Sequence, residues 1–388
     1  MHAHETHEPR PALPSTAPPS YTPDTVPKLD FLWLELTNRC NLECVHCYTE
    51  SHPNSGERDL LSTRQYVDLM RQAYALGCRK MQFIGGEPQL FREFYQLLVE
   101  AKAIGFQFIE VFTNLTRLDE RTLGFAAENG IHFATSVYSD EPCEHDAITK
   151  RATSHTRTVR NIRRLVERGV STRAGIILMD QSRDAVSRTK RFLHDLGVKS
   201  INASALRQFG RGEEMMGRTA ELSGLCGHCW AGKLCIAPDG MAYPCVMARR
   251  WPVGNVLEAT LADIVADRPL RDMRQTIFDT VWQPRIGIRA GCIPEEIPIF
   301  DTDQHCDPEI GCEPHAPGCS QSCLPDCNPS GGPCFPAKCV PERCAPDGGC
   351  PQSHCEPTAG CEQSPCTPST GDPCSPTEPT CPQSPNPG

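Results

Sequence analysis

FLWLELTNRCNLECVHCY, residues 31–48, joins a short apolar run to a loop that carries Cys40, Cys44 and Cys47. The run FLWLEL reads as a buried strand, and the loop then falls at that strand's C-terminal edge. Three thiolates can hold a [4Fe–4S] cluster by three of its irons, whereas ordinary electron-transfer clusters use four cysteines. The fourth iron is then open to a substrate or cofactor. A structural zinc site calls for four ligands and usually a CxxC pair, so the spacing CxxxCxxC with His46 inside it makes zinc the weaker reading.

Working outward, amphipathic stretches end at Gly77, Gly105, Gly130, Gly169 and Gly197, and each glycine leads into a β-rich apolar run. Glycine tolerates the left-handed conformation just past a helix, so these stops have a physical cause. The first helix has Ser62 as its N-cap and sets Tyr66, Met70, Ala73 and Tyr74 on one face. The strands read FLWLEL (31–36), KMQFI (80–84), FQFIEVF (106–112), IHFATSV (131–137), STRAGIIL (171–178) and VKSINAS (198–204). Alternating strands and helices predict an α/β protein with a parallel sheet, open or curled into a barrel, with functional residues at the strands' C-terminal ends.

The stretch CNLECVHCY resembles the CxxxCxxC signature of the radical S-adenosylmethionine (SAM) superfamily, in a form common among peptide maturases. That resemblance implies a partial (β/α)6 TIM-type barrel over residues 29–215. It also implies that SAM chelates the open iron and is cleaved reductively to a 5′-deoxyadenosyl radical that abstracts a substrate hydrogen. Gly85, Gly86, Glu87 and Pro88 close the second strand and match the motif that lies against SAM's methionyl amino group; glycines permit close approach, and Glu87 supplies an acceptor. TNLT (113–116), with Asn114, resembles the family's TNG segment, but Leu115 stands where glycine is usual. Ser136, at the end of the fourth strand, is a candidate for the SAM ribose. Segment 145–169 resembles maturase sequences, and its charges read as a solvated helix face. No residue is singled out as the catalytic hydrogen donor.

After RQFGRG (207–212) comes CGHCWAGKLCIAPDGMAYPC, with cysteines at 226, 229, 235 and 245. The order Cys229, Gly240, Cys245 matches the opening of SPASM and twitch extensions, which carry auxiliary iron–sulfur clusters. The resemblance implies a small auxiliary-cluster domain over residues 216–300. Its ligands are expected to be Cys226, Cys229 and Cys245, with Cys235 or Cys292 as a fourth, around one auxiliary cluster. Cys235 reads equally well as a small buried residue in a strand, and the PDG turn predicts a hairpin. Isolated Cys78 and Cys143 read as packing residues.

Of the 24 cysteines, fourteen crowd into residues 306–381, where proline recurs and aliphatic residues are scarce. Residues 301–388 are therefore expected to be a disordered low-complexity tail, and residues 1–28 a disordered arm too short for a peptide-recognition domain. A formal net charge of −10 gives no global basic field, so neither nucleic acid nor membrane is an expected partner. With no secretory signal or long apolar span, the chain reads as cytoplasmic, and its cysteines as metal ligands or reactive thiols. The expected substrate is a ribosomal peptide, with an electron donor and a separate leader-recognition protein as partners. Tailoring of a small metabolite and a non-catalytic iron–sulfur role are the alternatives.

Overall fold

The computed structural model describes residues 29–55 and 59–288. The arm at 1–28, Cys292 and the cysteine-rich stretch at 301–388 lie outside the described residues. Strands β1 (Phe31–Glu35), β2 (Lys80–Ile84), β3 (Phe108–Phe112), β4 (His132–Ser136), β5 (Thr172–Leu178) and β6 (Ser200–Ala205) alternate with helices α1 (Thr63–Ala75), α2 (Phe94–Ile104), α3 (Glu120–Asn129), α4 (Pro142–Thr149), α5 (Ser154–Glu167) and α6 (Arg183–Asp195). Each of these strands pairs in parallel with the next, as the alternation predicts. Ser62 does cap α1, in a reciprocal capping box with Gln65.

The crossover from β4 to β5 contains two helices where the pattern suggested one. The chain breaks between them because Lys150 and Thr153 take left-handed conformations, at φ 51° and 64°. After β6 come α7 (Arg211–Met216), β7 (Lys233–Ile236), β8 (Met241–Tyr243), β9 (Gly254–Asn255), α8 (Leu261–Ala266), α9 (Arg268–Ile277) and α10 (Gln283–Ile288). Strands β7 and β8 form the expected hairpin.

Sequence periodicity did not foresee where that hairpin goes. β7 runs parallel to β1, with Trp33 opposite Cys235, so the described strands form one sheet in the order β6-β5-β4-β3-β2-β1-β7-β8-β9. β6 and β9 are its edges, and the sheet does not close. Residues of alternating parity serve two cores, as strand geometry requires. Leu32, Leu34, Met81, Phe83 and Val111 pack outward against the helices. Phe31, Trp33 and Ile84 face inward, where they meet Cys229, Cys235, Tyr243 and Cys245.

The inner face also holds charge. Glu110, 2% exposed, receives both Nε and Nη2 of Arg173 at 2.8 Å and a hydrogen bond from Gln82. Removing one partner of such a pair strands the other charge in a poorly solvated place. Glu110→Ala is expected to lower the unfolding free energy by roughly 3 kcal/mol in urea titration; an unchanged midpoint would show that water already solvates Arg173. Among the described residues, no helix is long and apolar enough to cross a membrane.

Candidate functional site

The loop that carries Cys40, Cys44 and Cys47 has no regular structure of its own, so its shape depends on what holds its backbone. Cys40 N–H donates to His52 O at 3.2 Å, and Glu43 and Val45 N–H donate to the last carbonyls of α4, Thr149 and Ile148, at 3.1 and 3.0 Å. The far side is gripped by Arg211, at the start of α7. Its backbone N–H donates to Cys47 O at 3.0 Å, its Nε to Cys44 O at 2.8 Å and its Nη2 to Ser51 O at 2.9 Å. Gly210, at φ 55°, lies so close that a Cβ there would meet the carbonyls of Cys47 and Tyr48 at 2.5 Å. The RQFGRG segment is therefore the seat of the cysteine loop, a role that spacing alone did not reveal; its glycine–arginine–glycine core was the available signal.

The GGEP turn faces the same loop. A Cβ on Gly85 would meet Thr37 O at 2.6 Å, and one on Gly86 would meet Asn38 O at 2.7 Å. Both glycines are thus required by close backbone approach. Glu87, 1% exposed, accepts from Thr113 Oγ1 at 2.7 Å, Asn114 N–H at 2.8 Å and Gln89 N–H at 3.1 Å. Burial pushes its carboxyl upward, and these donors pull it back. The carboxylate ties the GGEP turn to the TNLT loop after β3.

Asn114 closes the triangle, since its Nδ2 donates to Asn41 Oδ1 at 2.9 Å and lies 3.7 Å from Cys40 Sγ. Leu115, in glycine's usual place, does adopt glycine's conformation, at φ 53°, with its side chain fully buried. α5 clamps this loop through Thr158 Oγ1 to Asn114 O and Asn161 Nδ2 to Leu115 O, both at 2.7 Å. The charged residues Arg157, Arg160 and Arg163 of segment 145–169 are exposed, as expected of a solvated helix face, while its buried Thr158 and Asn161 hold the TNLT loop. Ser136 neighbours Tyr138, which in turn neighbours the Cys44 thiol.

Burial shifts these thiols far from their ordinary range. Cys40 is raised by burial and by the Glu87 carboxylate, and Cys44 is pushed up to about 12, mainly by burial and then by Cys47. As free thiols they stay protonated; a metal that coordinates them supplies the positive charge a buried thiolate lacks. Among the described residues no three His, Cys, Asp or Glu side chains are drawn together as around one metal ion. The donor set, three thiols on one loop, suits the three-cysteine attachment of a [4Fe–4S] cluster.

The downstream cysteines form a second set. Cys229, 1% exposed, neighbours Cys226 and Cys245; those two thiols and burial push it up, while the interaction with Cys229 draws Cys226 down. Cys235 is fully buried in β7, with Glu35 and Arg249 as its stronger charged neighbours and Cys245 after them. Cys78 is buried, as expected of a packing residue, whereas Cys143 stands exposed on α4. Glu35 itself went unremarked in the sequence, although a carboxylate inside FLWLEL was the signal. It is fully buried, bonded by Arg249, and accepts from Tyr48 OH at 3.3 Å. It thereby links β1, the cysteine loop and the downstream segment, beside a cavity of ≈ 640 Å³ lined by Tyr48, Asp239 and Arg249.

Comparison with known proteins is consistent with this division. The radical SAM superfamily matches residues 34–193, and an iron–sulfur cluster-binding domain, SPASM, matches residues 226–285. The subtilosin biosynthesis protein AlbA of Bacillus subtilis is 26% identical over 190 residues, covering 48% of this chain and 42% of AlbA. The PqqA peptide cyclase of Streptomyces rochei is 26% identical over 236 residues, 61% of either chain. The chain thus spans 42% and 61% of the lengths of these relatives. Streptococcus suis SuiB, crystallised with S-adenosylmethionine, superposes with a TM-score of 0.53 at 16% identity, over 64% of this chain and 68% of SuiB. At that identity the likeness speaks for the fold, a partial (β/α) barrel.

Leu115 sets two effects against each other. Its left-handed backbone costs about 1–2 kcal/mol, while truncating a fully buried leucine costs about 3–5 kcal/mol. Leu115→Gly should therefore destabilise the protein by roughly 2 kcal/mol in urea titration, and a gain in stability would show that strain dominates.

Proposed function

We infer that this chain, which carries a radical SAM domain over residues 34–193 and a SPASM domain over residues 226–285, is an enzyme that reductively cleaves S-adenosylmethionine and abstracts a hydrogen from a ribosomally made peptide. The observation that carries this reading is the mutual bonding of three loops at one sheet edge: the Cys40–Cys47 loop, GGEP and TNLT. Glu87 and Asn114 bond these loops to one another. Support for a peptide substrate comes from similar proteins: AlbA is a bacteriocin biosynthesis protein, the Streptomyces rochei relative is a peptide cyclase, and SuiB has been crystallised with its precursor peptide SuiA.

In this reading Cys40, Cys44 and Cys47 hold a [4Fe–4S] cluster, which when bound supplies the electron that breaks a carbon–sulfur bond of SAM. Gly85, Gly86 and Pro88 shape the turn along which the methionyl end of SAM lies, Glu87 fixes that turn against Asn114, and Ser136 borders the ribose. Tight backbone packing around the loop keeps water from the buried Cys40 thiolate, which strengthens local electrostatics. Cys226, Cys229 and Cys245, with Cys235 beside them, hold an auxiliary cluster on the inner face. An electron donor and a separate leader-recognition protein complete the system, in the cytoplasm.

Anaerobic reconstitution with iron counting tests this directly. Cys40→Ala should abolish formation of 5′-deoxyadenosine, while Cys229→Ala should lose iron but keep part of that activity. Wild-type protein should also modify a short peptide encoded beside its gene. Equal SAM cleavage by Cys40→Ala would overturn the reading.

A further inference from the structure

The outer faces of α5 and α6 are basic in a chain whose formal net charge is −10. The two helices carry seven arginines and one lysine, against only Glu167, Asp184 and Asp195. Arg157, Arg160 and Arg163 recur at threefold spacing along the exposed stripe of α5, and Arg183, Arg188 and Arg191 are exposed on α6. Arg164 is held by Glu120 at 2.6 Å and Arg188 by Asp140 at 3.4 Å. Arg157, Arg160, Arg163, Arg183 and Arg191 have no side-chain hydrogen bond or ion pair among the described residues. The neighbouring acids of α4 are already engaged: Asp146 accepts from Ser154 Oγ and His155 N–H at 2.7 and 2.8 Å, and Glu144 accepts from Ser139 at 2.6 Å. Unpaired like charges repel one another, so five free arginines on adjacent helices are a cost to the isolated protein that an acidic partner would relieve.

Beneath this face runs a file of rings. Phe192, partly exposed on α6, stacks on His155 of α5 at 5.7 Å between centroids. His155 meets His145 at 5.4 Å, His145 meets Tyr138 at 5.3 Å, and Tyr138 neighbours the Cys44 thiol. The file thus spans the distance from the basic surface to the cysteine loop in short steps between π systems.

We propose that the outer face of α5 and α6 docks a small acidic one-electron carrier protein, and that the rings from Phe192 to Tyr138 form the inward route to the centre held at Cys44. The proposal rests on the reading of this chain as a SAM-cleaving enzyme, because reductive cleavage consumes one electron that no residue of the chain supplies. The carrier is oxidised by one electron, the iron–sulfur centre is reduced by one, and no side chain along the route changes its covalent state. Charge complementarity accounts for docking and orientation, and the rings for where the contact should lie.

The test uses the full, iron-reconstituted chain, a photochemically reduced bacterial flavodoxin as probe carrier, and a variant with Arg157→Glu, Arg160→Glu and Arg163→Glu. Stopped-flow bleaching of the cluster absorbance should show the second-order rate with flavodoxin falling on the order of tenfold or more in the variant, and falling with added salt in the wild type. Formation of 5′-deoxyadenosine with dithionite, a small reductant that needs no docking face, should be the same in both proteins. Phe192→Leu should leave flavodoxin affinity unchanged and slow the transfer severalfold; an unchanged rate would overturn the inward route. Equal flavodoxin rates in wild type and charge-reversed variant would overturn the docking face. So would loss of single-stranded RNA retention by that variant alongside an unaltered flavodoxin rate. If dithionite gives no 5′-deoxyadenosine from either protein, the SAM-cleavage reading fails instead. Docking is then decided by titrating oxidised flavodoxin into both: weaker binding by the variant upholds it, and equal binding overturns it.

Discussion

The bonds within the cysteine loop are short-range turns, such as Leu42 N–H to Cys40 Sγ and Cys47 N–H to Cys44 O, so its placement at the site depends on backbone groups that distant segments lend to it. Carbonyls at the end of α4 take two of its N–H groups, and Arg211 gathers the carbonyls of Cys44, Cys47 and Ser51. These anchors lie far apart in the chain, so the loop can take its shape only once the crossover after β4 and the segment after β6 are both in position. A buried backbone group left without a partner is costly. That cost makes the geometry of the three thiols a property of the whole barrel rather than of the motif.

Glu87 extends the same logic across the strands. Its carboxylate, fully engaged by Thr113, Asn114 and Gln89, fixes the turn after β2 to the loop after β3, and Asn114 then reaches Asn41 and Cys40. Glu35 plays the corresponding part on the inner face, between Tyr48 and Arg249. Two buried carboxylates thus join the thiol-bearing segments to each other. Burial first, and then the nearby carboxylate, raises the neighbouring thiols, Cys40 beside Glu87 and Cys235 beside Glu35.

Much of this was legible in the sequence because it is local. Glycines such as Gly105 and Gly130 stop helices through their own backbone freedom, and both do take the left-handed conformation at a C-cap. The spacings CxxxCxxC and GGEP mark loops whose neighbours are fixed by strand order. What could not be read is long-range. Nothing in KLCI says that β7 will pair with β1, since a short apolar run carries no address for its partner strand. Nothing in RQFGRG names Cys47 as its contact. Leu115 looked like a departure from pattern, yet the backbone keeps the glycine conformation, because burial of the leucine side chain outweighs the strain.

The account turns on one iron at the Cys40–Cys44–Cys47 centre being left open for SAM. Electron paramagnetic resonance of the reduced, reconstituted protein, recorded before and after addition of SAM, measures that directly. The account predicts a cluster signal whose g-values and line shape change when SAM is added, and which is absent from Cys40→Ala. A signal from a fully loaded cluster that is the same with and without SAM would contradict it.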